Sequence, residues 1–382
     1  MKELSQLEEM LLLACSGSDN SARVRQLYYS VGDSEAWAAA AEHELCGHVA
    51  HKLSDAHATI PSRWEEAHEA TAQRIGAYLA AVNQLAAQLA EIGIPVIALK
   101  NAGIAQGIFT CLGCSPMGDV DLLVRRADFA RAHELLVANG YKCRSRCVLE
   151  QGTLEEGQMT GGTEYSRELD GIGEFWLELQ WRAVSGRWIR PDQEPDSDDL
   201  MARSVAIPRT KLRLLSPEDN LLQVGLHTAK HSYVRAPGLR LHTDVDRIVR
   251  NTQIDWALFV SQVEKLQVRT AVYLSLALAK ELLETPVPDA VLDTLRPPRQ
   301  REKLLRRAIV KAGLFHPSEH KFSRLQYLLF TAMLYDDAGG LLRAVVPDSA
   351  WMKRRYNTQS SILLPVCYLR RIWDLAVRRV GI

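Results

Sequence analysis

The sequence predicts an α+β fold, a small mixed sheet inserted between helical regions, and three observations carry that prediction. Residues 64–92 run with helical periodicity, rich in Ala, Gln and Glu and free of Pro, until Gly93 and Pro95 end the pattern. Three short segments, 95–99, 119–124 and 175–181, then have the apolar or alternating character of buried strands. From Ser216 onward the helical pattern returns. It opens with Ser216-Pro217-Glu218-Asp219: a capping hydroxyl, a proline at the first helical position and acids in the first turn.

The elements follow in order. Residues 1–90 read as an N-terminal helical region, 91–185 as the core holding the sheet, and 186–382 as a C-terminal helical domain. The run Pro95-Val96-Ile97-Ala98-Leu99 is the first strand, and Lys100-Asn101-Ala102-Gly103 turns into a short helix. A loop over 111–118 leads to the second strand, Asp119-Val120-Asp121-Leu122-Leu123-Val124. Residues 126–139 are amphipathic, with Phe129, Ala132, Leu135 and Leu136 on one face and Gly140 as cap. Residues 141–173, rich in Gly, Glu and Thr, predict hairpins or a mobile loop. Helices are expected over 217–232, 239–250, 256–266, 270–283, 299–312, 323–335 and 363–380.

Composition narrows the function classes. With 382 residues, the chain is long enough to bury a core without metal or disulfide staples. Lys+Arg and Asp+Glu both number 46, so there is no basic excess of the kind a nucleic-acid-wrapping protein needs. No apolar run reaches bilayer-spanning length, and the N-terminus is too acidic for a secretory signal; a soluble, cytoplasmic protein without membrane partners is expected. Seven thinly spread cysteines point to reduced thiols.

Asp119 and Asp121 carry the chemistry. Two residues apart on a strand, they share a face, while Val120, Leu122 and Val124 point to the core. Two neighbouring carboxylates in an apolar strand need compensating charge, which Mg²⁺ (or Mn²⁺) with substrate phosphates would supply. Glu178 is the candidate third ligand, on one face with Trp176 and Gln180; Asp170 and Glu174 compete for that role. Solvated strand-edge acids are the bland alternative. Lys100, Asn101 and the N–H groups of the next helix would form a phosphate-binding corner.

Secondary candidates keep two readings each. His227, Lys230 and His231 share a helix face, to contact phosphate and acceptor or to pack as structural side chains. Arg240 and Asp244, four apart, are either site residues or an ordinary exposed pair. Cys111 and Cys114, with Cys143 and Cys147, would offer four thiolates to a structural Zn²⁺; free thiols are the default. The basic stretch 296–311 reads as a solvated helix face or a surface for RNA or an acidic peptide. Trp176 and Trp181 read as core.

The order IPVIALKNAGIA, GDVDLLVRRADFARAHELLVANGY, WLELQWRAV resembles an uncharacterised bacterial nucleotidyltransferase family of the DNA polymerase beta-like superfamily. The matching places are Leu99-Lys100, residues 119–124, Gly140-Tyr141, and Glu178-Leu179 with Trp181; the likeness continues through 227–231 and 241–244. Three positions depart from the family pattern: Asn101 for Gly, Ser115 for Arg, Gln180 for His. The resemblance implies a polymerase beta-like core and Mg²⁺-dependent transfer of a nucleotidyl group from an NTP to an acceptor. Asp119, Asp121 and Glu178 would be its metal and catalytic residues, with Ser115 and Gly118 on the nucleotide side. A small molecule, peptide or protein acceptor is expected ahead of tRNA. The alternatives are a non-catalytic nucleotide- or peptide-binding partner in a biosynthetic assembly, and a toxin-like enzyme that modifies tRNA.

Overall fold

Alternation along three short strands decides how the sheet sits. Val120, Leu122 and Val124 lie in one apolar core with Leu177 and Leu179 of a neighbouring strand and Val96 and Ala98 of another. Ile97, Leu99 and Leu123, one residue out of step, belong to a second core on the opposite face. A one-residue slip would exchange the two sets and drive Asp121 into the first core, so burial on both faces fixes the register.

The computed structural model describes residues 4–144, 153–184, 188–317, 319–356 and 358–376. Seven strands among them form one mixed sheet: β1 Val96–Ala98, β2 Val120–Leu123, β3 Lys142–Cys143, β4 Gly162–Leu169, β5 Gly173–Gln180, β6 Val205–Ala206 and β7 Leu212–Leu214. Their order is β3-β4-β5-β2-β1-β7-β6. β2 lies antiparallel to β1 and parallel to β5, and β1 lies parallel to β7. β6 and β7 fall outside the 91–185 stretch expected to hold the sheet. Unlike β1, which lies in the continuous apolar run 95–99, β7 is interrupted by Arg213 and set off from β6 by Arg209-Thr210-Lys211, so pairing of β7 with β1 and of β6 with β7 is what recruits them.

Helices cover both faces. From its middle onward, Ser62–Glu91 supplies Ile75, Leu79, Val82, Leu85 and Leu89 to one core, joined by Phe129 and Leu136 of Phe129–Ala138. The other core combines the N-terminal helices with Pro217–Lys230, Arg240–Asn251 and Arg269–Leu283. The helix expected over 126–139 starts as a 3₁₀ turn, Arg126–Asp128. The last helix runs Leu364–Ala376, one residue later than expected at its start; residues 377–380 of its expected span lie outside the described residues.

Within 141–173, the structure gives a hairpin of β4 on β5 and a helix Leu154–Thr160. Trp176 stands outside the two apolar cores, whereas Trp181 packs against the first of them. Both rings are half-buried, with the guanidinium of Arg144 4.8 Å above Trp176 and that of Arg126 4.5 Å above Trp181. Arginine stems and cation–π contact substitute there for apolar cover. The basic stretch 296–311 forms helix Arg299–Ala312, where Arg306 is bound by Glu281 and Glu302. Among the described residues, no helix is long and apolar enough to cross a membrane.

Candidate active site

The parallel pairing of β2 and β5 sets Asp121 opposite Glu178. Both project from the face opposite Val120, Leu122, Leu177 and Leu179, as period-2 alternation requires. Asp119 stands two residues earlier, half-buried at the mouth of β2. The three acids therefore converge from adjacent strands. Asp170 lies in the turn between β4 and β5, and Glu174 sits exposed near the start of β5 with Arg144, so neither competitor replaces Glu178.

Asp121 is buried and doubly bonded. Its Oδ1 accepts from Lys100 Nζ at 2.7 Å and from Gln180 Nε2 at 2.6 Å. Lys100 is separated from the end of β1 by Leu99 and opens helix Lys100–Gly107 with φ of +49°. Residues with a Cβ rarely adopt that left-handed backbone, and here it brings the ammonium to Asp121. Gln180 Oε1 is buried without a hydrogen-bond partner, beside the same carboxylate.

Electrostatics follow from this packing. Burial and the facing Asp121 push the Glu178 carboxyl up to about 8, despite the opposing pull of Lys100 and Lys230. Burial also penalises charge on Asp121, but Lys100 outweighs it and holds that carboxyl below its ordinary range. Burial opposes charge on Lys100 too, yet the carboxylates of Asp121, Glu178 and Asp119 raise it above the usual lysine value. Lys230 is shifted down, by burial and by Lys100. Two facing carboxyls and two lysines thus form one charge cluster, in which Glu178 holds a proton more readily than an ordinary glutamate.

Helix Pro217–Lys230 brings His227 and Lys230 to this face, with His231 as the residue after it. The His227 and His231 rings meet with centroids 4.7 Å apart. Burial and nearby lysines favour their neutral forms, His231 falling to about 3. Lys230 Nζ donates to Val184 O at 3.3 Å, which ties the helix to the segment leaving β5.

Five of the expected nucleotide-side residues, Asn101, Ser115, His227, Arg240 and Asp244, line one pocket together with Arg247. With its amide turned toward Asp244, Asn101 Nδ2 stands 3.1 Å from both carboxylate oxygens. Arg240 and Asp244 are not an exposed pair. Arg240 donates to Pro116 O at 2.8 Å and pairs with Glu44 at 2.6 Å, whereas Asp244 is buried. Helix Arg240–Asn251 turns its polar side inward because its neighbours present polar groups there. Burial pushes the Asp244 carboxyl up to about 6 against the pull of Arg247, Arg240 and Lys100. Ser115 Oγ donates back to Cys111 O at 2.9 Å. Gly118 is exposed, with open space where a Cβ would stand.

Sequence reasoning missed two contributors. Gln180 lay on the correct face, but its bond to Asp121 was not anticipated. Arg247 was legible as the third member of an i, i+4, i+7 series with Arg240 and Asp244. It donates to Cys114 O at 2.6 Å.

The four-cysteine grouping does not form. Cys143 sits on edge strand β3, its Sγ 3.8 Å from Thr163 Oγ1, with β4 and β5 between it and β2. Cys147 lies outside the described residues.

No curated protein and no solved structure matches this sequence. Residues 30–284, well over half of the chain, match the sequence model of the uncharacterised nucleotidyltransferases, and the chain belongs to that family.

Proposed function

We propose that this chain catalyses Mg²⁺-dependent transfer of a nucleotidyl group from an NTP to a small-molecule, peptide or protein acceptor, on a polymerase beta-like core. One observation carries the reading: Asp121 and Glu178 stand in register on parallel neighbours, with Asp119 beside them and lysines close by. The residues suit a divalent cation. Glu178 is held protonated by burial and by Asp121, and a dication would replace that proton. The unpartnered Gln180 Oε1 adds a neutral oxygen at the same place. Asp119, Asp121 and Glu178 would hold Mg²⁺, or Mn²⁺. When bound, the cation supplies charge neutralisation at the triphosphate and acidifies the attacking group.

The chain's own side chains do the rest. Lys100 stays cationic and offers charge to phosphate oxygens at the end of β1. Gln180 and Lys100 fix the orientation of Asp121. Glu178, freed of its proton, would accept one from an acceptor hydroxyl or amine. Asn101, Arg240 and Arg247 surround the adjoining pocket, with Ser115 and Gly118 in the loop leading to Asp119. His227, Lys230 and His231 line the side from which an acceptor would approach.

A second reading rests on the Lys100–Asp121 ion pair, which already compensates one carboxylate from within the fold. That arrangement suits a nucleotide-binding partner without transfer activity. α-Labelled NTPs with Mg²⁺ or Mn²⁺ and candidate acceptors separate the two. Transfer that is lost in both Asp121→Asn and Glu178→Gln supports the enzyme. Nucleotide binding with no transfer and no pyrophosphate release in any combination supports the binder.

A further inference from the structure

A second cluster lies outside the carboxylate site. His51 of helix Cys46–Asp55, His68 of helix Ser62–Glu91, and Cys111 and Cys114 of the turn before β2 bring one ligand atom each to a common point. All four atoms lie within 4.8 Å of one another. Cys111 Sγ is 3.3 Å from His68 Nε2 and 3.9 Å from His51 Nδ1. We propose that these four side chains form a structural Zn²⁺ site of the Cys₂His₂ type, pinning the N-terminal helices to the turn that delivers the carboxylate strand.

The geometry supports it at three levels. Zn–S bonds of about 2.3 Å and Zn–N bonds of about 2.0–2.1 Å put tetrahedral ligand atoms roughly 3.3–3.8 Å apart. The 3.3 Å spacing falls in that range, the 3.9 Å spacing lies just outside it, and no pair is wider than 4.8 Å, so modest side-chain adjustment closes the site. Two thiolates with two imidazoles are a donor set that selects Zn²⁺ over the oxygen-seeking Mg²⁺.

Next comes the outer shell. His51 turns Nδ1 toward Cys111, and its Nε2 stands 3.5 Å from Asp55 Oδ2, one helical turn on. A carboxylate on the far nitrogen of a ligating histidine fixes its tautomer and strengthens it as a donor.

The third level is close packing around the cluster. A Cβ on Gly113, between the two cysteines, would stand 2.3–2.5 Å from atoms of the His68 ring. One on Gly47 would stand 2.0 Å from Gly113 O. Glycine at both positions lets the Cys-x-x-Cys turn seat against both helices at once. Arg247 donates to Cys114 O of the turn, and four residues separate Cys114 from Asp119. Binding would release the cysteine protons to solvent, with no redox change.

The test uses the full chain purified in reducing buffer without chelator. Elemental analysis is expected to give about one Zn²⁺ per chain. Stripped protein titrated with Co²⁺ should show the intense d–d bands of a tetrahedral ion and a thiolate-to-cobalt charge-transfer band. Cys111→Ser and His51→Ala should each weaken Co²⁺ binding by at least about 100-fold, whereas Cys143→Ser should leave it unchanged. Circular dichroism confirms that the variants fold, and the wild-type titration stands independently of them. Stripped wild type that gives no Co²⁺ spectrum, or only the weak bands of an octahedral ion, overturns the proposal. So does a Cys111–Cys114 disulfide that persists in reducing buffer, seen as two hydrogens missing from the intact mass.

Discussion

The carboxylate face of β2 and β5 and the Cys-His cluster before β2 solve opposite problems. In the first, hard oxygen donors face each other across two strands, and the fold supplies two lysines as counter-charge. In the second, soft donors from two helices and one turn meet, with a carboxylate behind one histidine. The strand site is rigid because the backbone ladder sets its spacing. The cluster's spacing depends on how two helices pack against a turn, so a bound ion there would add cohesion that the carboxylate site does not need. The two sites should therefore respond separately to substitution.

The largest effect should separate them on activity. Asp121→Asn is expected to lower nucleotidyl transfer by roughly 10³-fold or more while leaving the Zn²⁺ content intact. If transfer survives, the carboxylate pair is not the reaction centre. Next comes stability. Lys100→Met removes one partner of a buried ion pair whose side chains are 10% and 6% exposed. It should cost about 3–5 kcal/mol in denaturant unfolding without divalent cation, and added Mg²⁺ should restore part of the loss by compensating Asp121. A loss that Mg²⁺ leaves unchanged would argue against cation binding at Asp121.

A smaller effect concerns pH. Asp244 is held up to about 6 in the folded protein, above its ordinary value near 3.8. The folded state thus binds its proton more tightly than the unfolded chain. Stability from this group is fully present below about pH 4 and declines as pH rises through about 6. Asp244→Asn should be more stable than wild type at pH 7.5, on the order of 3 kcal/mol, with the advantage gone by pH 4. Parallel wild-type and variant pH profiles would refute the shift. The smallest effect is the control: Cys143→Ser should change thermal stability by less than about 0.5 kcal/mol, because Cys143 joins neither site.

Much of the fold was legible because its signals are local. The helix Ser62–Glu91 announces itself by period and by the Gly93 and Pro95 that end it, and the helix Pro217–Lys230 by its cap. The alternation in residues 119–124 and 175–181 placed Asp119, Asp121 and Glu178 on their faces before any pairing was known. β6 and β7 were invisible because neither lies in a continuous apolar run like that around β1: Arg213 interrupts one, and the other is two residues long. The choice between site residues and an exposed pair for Arg240 and Asp244 was open because four-residue spacing says which face they share, not whether that face is buried.

The sequence by itself determined the strand faces, the helices and the presence of an acidic pair in an apolar frame, since each depends on neighbours within a few residues. Only the tertiary structure decided that Glu178 stands across from Asp121, that Gln180 and Lys100 grip the same oxygen, and that Cys111 and Cys114 meet His51 and His68 rather than Cys143. Those choices are made by strand order and helix packing over separations of tens of residues, where no local pattern in the chain carries the information.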